Sequence, residues 1–210
     1  MIQKLETPHG LCVLVEIDDV ERALVALPAE EQAHAKTLAE LRRRELASGR
    51  FALHHALGDF TTPILPDDRG APVLPAGWTG SVSHKGARAG ALVAPLADPR
   101  VHVGLDLERA APPKVDIARR ILTPREQRAL AGDELARGRA VTLRFAIKEA
   151  IYKAVDPYLR RYVGFTEVEL EFDGDACVVR SELPLAIEAT WREHEGFWLA
   201  TARAALRPGR

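Results

Sequence analysis

Asp106 and Glu108 stand two residues apart in the run Val101-His102-Val103-Gly104-Leu105-Asp106-Leu107-Glu108. An extended strand turns alternate side chains to opposite faces. Val101, Val103, Leu105 and Leu107 then face a core, and His102, Gly104, Asp106 and Glu108 face the other way. Two carboxylates so placed repel one another and call for a shared hard cation or a basic partner. Gly104 leaves room beside them for a ligand or for another stretch of backbone. A half-buried edge strand with a wet polar face has the same alternation, and this segment alone does not choose between the two. Further along, Lys148, Glu149, Tyr152 and Lys153 lie within one helical pattern. Glu149 and Lys153, four apart, are either a plain surface ion pair or an acid and a cation presented together. Ser83-His84-Lys85 offers hydroxyl, imidazole and ammonium groups in a row, a set suited to an oxyanion or phosphate. Lys36, Arg43 and Arg50 recur every seven residues, and Arg69 precedes Gly70 in a proline-rich loop. These cations either solvate a surface or bind an anion.

The elements that must carry these groups can be read in outline. Leu11 to Ile17 reads as a strand, and Pro28 opens one long helix over about 29–57, with Gly49 as its weak point. The stretch 61–80, TTPILPDDRGAPVLPAGWTG, reads as an ordered loop. A strand at Ser81–Ser83, a turn over His84–Arg88 and a second strand through Ala91–Ala94 follow. After the central strand, a helix spans about 115–121. Thr123-Pro124-Arg125-Glu126 is a capping box that starts another, a structural arrangement in itself. The pattern AVTLRFAIKEAIYKAV predicts a helix over 140–155, stopped by Asp156-Pro157. The remainder reads as β: Val168–Phe172 and Cys177–Arg180 around an Asp173-Gly174-Asp175 turn, then 185–190 and 197–204, with Trp191 and Trp198 packed in the sheet and a frayed RPGR tail. Each half thus holds a helix and several strands.

Composition narrows the class. The 210 residues are 47% hydrophobic, enough for one large domain or two small ones. The formal net charge is −1, so no overall basic field exists to hold a nucleic-acid backbone. Cys12 and Cys177 sit far apart in apolar, strand-like surroundings and read as buried thiols of a reduced, cytoplasmic protein. No signal-like run is seen, and no segment approaches the roughly 20 apolar residues needed to span a bilayer.

Taken together, Ser83-His84, then Gly104-Leu105-Asp106-Leu107-Glu108, then Phe145-Ala146-Ile147-Lys148-Glu149-Ala150-Ile151-Tyr152-Lys153 resemble the 4′-phosphopantetheinyl transferases, in particular the surfactin and enterobactin synthetase activator type. The family carries Ser-His, Gly-hydrophobic-Asp-x-Glu and (Trp/Phe)-x-x-Lys-Glu-(Ser/Ala)-x-x-Lys in that order. The segments Glu45–Arg50 and Arg69–Pro75, and RYVGF after the third motif, resemble flanking features of the enterobactin-type subgroup; Lys85 departs from the Cys that several of those members have after Ser-His.

The resemblance implies an α+β fold of two pseudo-symmetric lobes, 1–100 and 101–210, forming one functional unit with the active site in the cleft between them. It implies transfer of the phosphopantetheine arm of coenzyme A to a serine of an acyl or peptidyl carrier protein, with release of adenosine 3′,5′-bisphosphate. Splitting a pyrophosphate requires neutralising both phosphates, which Mg²⁺ (or Mn²⁺) does as a Lewis acid. Asp106, Glu108 and Glu149 would be its carboxylates. Glu149 would also be the general base. Lys153 would stabilise the developing charge. His84 and Ser83 would hold a phosphate, and Arg43, Arg50 and Arg69 are the candidates for the 3′-phosphate and adenine end. A monomer is expected, with an acidic carrier docking near Arg119, Arg120, Arg125 and Arg128, and with neither nucleic acid nor membrane as partner. Two other readings remain: a non-catalytic coenzyme A or nucleotide-binding module, and a metal-dependent phosphodiester hydrolase.

Overall fold

Apolar alternation along the first hundred residues folds into one antiparallel sheet. The computed structural model describes residues 1–16, 19–96, 98, 100–174 and 176–207. The chain divides into two compact units, Met1–Pro99 and Arg100–Arg210. In the first, strands β1 (Ile2–Thr7), β2 (Gly10–Glu16), β3 (Trp78–Lys85) and β4 (Arg88–Pro95) lie in the order β1-β2-β4-β3. Three helices accompany them: α1 (Val20–Val25), α2 (Ala29–Lys36) and α3 (Glu40–Leu57). Val13, Val15, Ala89, Ala91 and Val93 of the sheet bury against Ala52 and Leu53 of α3 and against Ile64. β1 lies in the N-terminal stretch where no strand was expected, and Ile17, assigned from the sequence to the next strand, lies outside the described residues.

The single helix expected over 29–57 is two. Ala39 is extended (φ −60°, ψ 151°) and separates α2 from α3. The break lets Ala35 of α2 and Ala47 of α3 meet Leu24 and Leu27 in a small core that a straight rod would not form. Gly49 sits buried inside α3 and interrupts nothing, facing Val82 at van der Waals distance. α3 ends at Gly58, whose left-handed conformation (φ 70°) suits glycine. The turn expected over His84–Arg88 is tighter. Ser83 and His84 belong to β3, with His84 opposite Ala89 and Lys85 opposite Arg88, so the loop is Gly86-Ala87 alone.

In the second unit, β5 (Val101–Arg109), β8 (Leu185–His194) and β9 (Phe197–Leu206) form an antiparallel sheet in the order β5-β9-β8. β6 (Val168–Asp173) and β7 (Ala176–Ser181) form a separate hairpin, and Asp175 of its expected turn lies outside the described residues, as do residues 208–210 of the tail. Helices α4 (Ala118–Ile121), α5 (Pro124–Arg128) and α6 (Glu134–Leu159) complete the unit. α4 is shorter than the expected 115–121. The capping box is formed, with the Thr123 side chain accepting the Glu126 N–H and the Glu126 carboxylate accepting the Thr123 N–H. β8 and β9 run longer than expected because Glu195 (φ 49°) and Gly196 (φ 76°) make a two-residue turn matched to strand twist.

α6 exceeds its predicted length at both ends, 26 residues with Gly138 and Pro157 inside it. Proline in the last turn removes one helical hydrogen bond, to the Lys153 carbonyl. Tertiary contacts outweigh that loss. The Tyr158 hydroxyl donates to the Ala204 carbonyl at 2.9 Å and also meets the Arg100 carbonyl, and Leu159 packs on the core. The helix stops at Arg160, which is left-handed (φ 47°). Its inner face is small: Ala146, Ala150 and Ala154 meet Ala200, Ala202 and Ala204 in one core. Ile147 and Ile151 are fully buried beside them, worth roughly 1.5–3 kcal/mol each.

Candidate active site

That close approach places the acidic residues. The room beside Gly104 is filled by the backbone of α6: a Cβ at Gly104 would lie 1.9 Å from the Ala150 carbonyl oxygen and 2.8 Å from the Ala154 nitrogen. Only glycine admits the helix here. The face of β5 that carries His102, Gly104, Asp106 and Glu108 is therefore the helix-covered face. Asp106 is 6% exposed, whereas Glu108 and Glu149 are half-buried.

Lys153, one turn beyond Glu149, reaches across to β5. Its Nζ donates to the Leu105 carbonyl and to Asp106 Oδ1, both at 2.8 Å. Burial pushes the Glu149 carboxyl up, and Asp106 and then Glu108 add to the rise by like-charge repulsion while Lys153 opposes it. Asp106, Glu108, Glu149 and Lys153 thus act on one another electrostatically within a single unit. Among the described residues no group of three or more His, Cys, Asp or Glu is arranged to hold a metal ion. Asp106 is engaged by the Lys153 ammonium. The donor set nonetheless fits a hard divalent cation: carboxylate oxygens only, mutually repelling, with the repulsion relieved by positive charge.

In the N-terminal unit, Ser83 is buried and His84 half-buried on β3. His84 Nε2 lies 3.6 Å from Glu45 Oε2, and the same oxygen accepts from Arg42 at 2.6 Å. Glu45, one of the ELASGR residues, was not singled out from the sequence as a neighbour of His84. The basic heptad does not form one stripe. Lys36 lies exposed on α2, beyond the helix break, and Arg43 pairs with Glu21. Arg50 is 3% exposed, with Nε donating to the Ile64 carbonyl at 2.6 Å. Burial lowers the Arg50 pKa, and Glu31 counters. Arg69 is exposed in a turn where Asp67 accepts its N–H.

Two buried glutamates were missed as organising residues. Glu126 does more than cap α5. Its Oε2 accepts from Lys148 Nζ at 2.7 Å and from the Thr123 N–H, and its Oε1 accepts from the Leu170 N–H at 3.0 Å. Burial lowers the Lys148 pKa and the Glu126 carboxylate restores part of it. Glu31 of α2 accepts from His54 Nε2 at 2.8 Å and from the Ile64 N–H at 2.6 Å. Capping boxes and i,i+4 spacing are visible in a sequence; a carboxylate's distant partners are not.

Of the arginines expected at a docking surface, Arg125 pairs with Glu169 and Glu171, and Arg119, Arg120 and Arg128 are exposed. Both cysteines are free thiols. Cys12 is fully buried, while Cys177 is half-buried with its thiol pushed up to about 11 by burial. Trp191 and Trp198 pack edge to face, centroids 5.5 Å apart, as expected of sheet residues. Among the described residues no helix is long and apolar enough to cross a membrane.

Residues 102–202 match the 4′-phosphopantetheinyl transferase superfamily, and residues 29–94 match the 4′-phosphopantetheinyl transferase N-terminal domain. The 4′-phosphopantetheinyl transferase Svp of Streptomyces mobaraensis is 32% identical over 197 residues, 85% of this chain and 78% of the relative. Enterobactin synthase component D of Escherichia coli O157:H7 is 32% identical over 154 residues, 71% of this chain and 70% of the relative. The solved Thermotoga maritima holo-[acyl-carrier-protein] synthase is 27% identical, covering 50% of this chain and 63% of its own, with a TM-score of 0.40.

Proposed function

The chain belongs to the 4′-phosphopantetheinyl transferases, enzymes that move the phosphopantetheine arm of coenzyme A to a carrier protein, and from that premise we propose that Glu149 is the general base and Lys153 the electrophilic partner of the transfer. The observation that supports the assignment is the coupled set on β5 and α6: a Glu149 carboxyl raised by burial and by Asp106, beside a Lys153 ammonium already held at Asp106. A carboxylate with a raised pKa is the stronger base.

The carrier serine Oγ attacks the phosphorus that bears the pantetheine arm. A new P–O bond forms there, the pyrophosphate P–O bond breaks, and adenosine 3′,5′-bisphosphate leaves with the electron pair. Glu149 accepts the serine proton. Lys153 lies where negative charge grows on the phosphoryl oxygens and leaving group. Ser83 and His84 hold a phosphate of coenzyme A by hydroxyl and imidazole hydrogen bonds. Arg43, Arg50 and Arg69 are proposed for the 3′-phosphate and adenine end. The burial of Arg50 and its bond to the Ile64 carbonyl make it the most preorganised of the three. Asp106, Glu108 and Glu149 would hold Mg²⁺ (Mn²⁺ in its place), which when bound supplies Lewis-acid neutralisation of the pyrophosphate. The two halves act as one functional unit, a cytoplasmic monomer, with an acyl or peptidyl carrier protein met at Arg119, Arg120 and Arg128, without nucleic acid or membrane.

Intact-mass measurement of an apo carrier protein, incubated with this chain, coenzyme A and Mg²⁺, tests the reading. A gain of one phosphopantetheine arm, abolished by EDTA, is expected. Glu149→Gln should keep coenzyme A binding and lose transfer by about 10²–10⁴-fold. Coenzyme A binding without any mass gain across several carriers would favour the binding-module reading. Normal turnover by Glu149→Gln would remove the assigned base.

A further inference from the structure

Lys148 precedes Glu149 in the chain but turns into the interior, 3% exposed. An ammonium has three donors. Lys148 places them on the Ile121 carbonyl (2.8 Å), Glu126 Oε2 (2.7 Å) and the Phe165 carbonyl (3.0 Å). Glu126 in turn accepts the Leu170 N–H. One ion pair therefore grips both ends of the stretch 165–170, the carbonyl at its start through Lys148 and the amide at its end through Glu126.

This stretch matters because of what it faces. A cavity of about 120 Å³ is lined on one side by Glu149, Ile151 and Tyr152 of α6, and on the other by Tyr162, Phe165 and Val168. Its walls are mostly apolar. Phe165 also packs on Phe145 of α6, centroids 5.6 Å apart. The wall opposite Glu149 has little regular structure of its own, a single short helical turn at Phe165–Glu167 before β6 begins. The buried pair ties this wall to α6 through the Phe165 carbonyl and the Leu170 N–H.

We propose that Glu126 and Lys148 are positioning residues for the transfer: they fix the 162–168 wall against α6 and so hold the surroundings of Glu149 in the geometry the reaction needs. Neither touches substrate. The inference rests on the reading of Glu149 as the base, and its test separates the two. Lys148→Met alone strands a buried carboxylate and can prevent folding. The double variant Lys148→Met/Glu126→Gln removes both charges and keeps an amide oxygen for the Leu170 N–H.

With the double variant, coenzyme A binding is measured by calorimetry, transfer is expressed per coenzyme A-binding site, and amide hydrogen exchange is followed along 162–170. Coenzyme A affinity should stay within about twofold, a change too small to mark lost binding contacts. The kcat per binding site should fall about 10- to 100-fold, as expected when reacting groups shift by a fraction of an ångström to one ångström. Exchange should quicken in 162–170 ahead of β5 and β9. A role confined to stability would instead lower the number of binding sites, leave kcat per site unchanged and raise exchange throughout the unit; that pattern would overturn the proposal. Wild-type protein that fails to transfer any arm would sink the reading of Glu149, while the exchange measurement would still report on the wall.

Discussion

Glu31 and Glu126 solve one problem in two units with different cations. Each sits on a short helix, each is 1% exposed, and each accepts the N–H of the segment that follows a long helix, Ile64 in one case and Leu170 in the other. Each also takes a cation from that long helix, His54 of α3 or Lys148 of α6. A buried carboxylate costs less when it satisfies a backbone donor and a charge together. The difference lies in the cation. Burial lowers the Lys148 pKa from the ordinary lysine range, and its hydrogen bond to Glu126 opposes the drop. His54 titrates. Burial opposes its charge most strongly, yet Glu31 and the Asp59 carbonyl carry its pKa above 6.5. The N-terminal unit therefore pins its following segment through an imidazole whose pKa is raised, and the C-terminal unit through an ammonium whose pKa is lowered.

Breaking the pins should separate the units by magnitude. Glu126→Ala leaves the Lys148 ammonium buried without its carboxylate and should cost the C-terminal unit about 3–5 kcal/mol, read from denaturant unfolding. Glu31→Gln should cost less, about 1–3 kcal/mol, because an imidazole can shed its proton and Gln still offers an oxygen to the Ile64 N–H. An equal loss in both variants would show that the two cations are equivalent partners for a buried carboxylate. Thr123→Ala removes the α5 cap and should cost about 1 kcal/mol. A much larger loss would mean that the Thr123 hydroxyl bond to Glu169 is the greater part of its contribution.

The mildest test varies the pH. A folded-state pKa above the unfolded value gives stabilisation that is complete below the unfolded pKa and is lost as pH rises through the folded one. His54 should therefore stabilise the N-terminal unit fully below about 6.5 and progressively less above it, through its raised pKa. Thermal melts from pH 5.5 to 8.5 of wild type and His54→Gln check it: the variant's profile should flatten, and an unchanged slope would exclude His54 as the source.

Local signals in the sequence carried much of this. Alternation located β5 and the capping box started α5, because each is written within a few residues; spacing set Asp106 beside Glu108 and Glu149 beside Lys153 without choosing between a surface pair and a site. What failed depended on distant partners. The α2–α3 break exists so that Ala35 and Ala47 can share a core with Leu24, which no residue at 37–39 announces. Pro157 reads as a stop, but the Tyr158 hydroxyl and its carbonyl partners on other segments keep the helix going. Lys148 and Glu126 lie 22 residues apart and meet only in the folded unit. Lys153 likewise looked like the partner of its helical neighbour, and the fold sends it to Asp106 on a strand that begins 52 residues earlier.

The pairing of β5 has a consequence for how the enzyme is made. Its hydrogen-bonded neighbour is β9, with Val101 opposite Ala205 and Asp106 opposite Ala200. A chain leaves the ribosome N-terminus first. Asp106 and Glu108 therefore emerge long before the strand that holds them in register has been synthesised. Until Phe197–Leu206 is out, β5 lacks its sheet partner, and α6, which must lie against Gly104, has no completed floor beneath it. The nascent chain thus carries Asp106 and Glu108 before β9 can hold them in register, and the pairing of Asp106 with Ala200 waits for Phe197–Leu206.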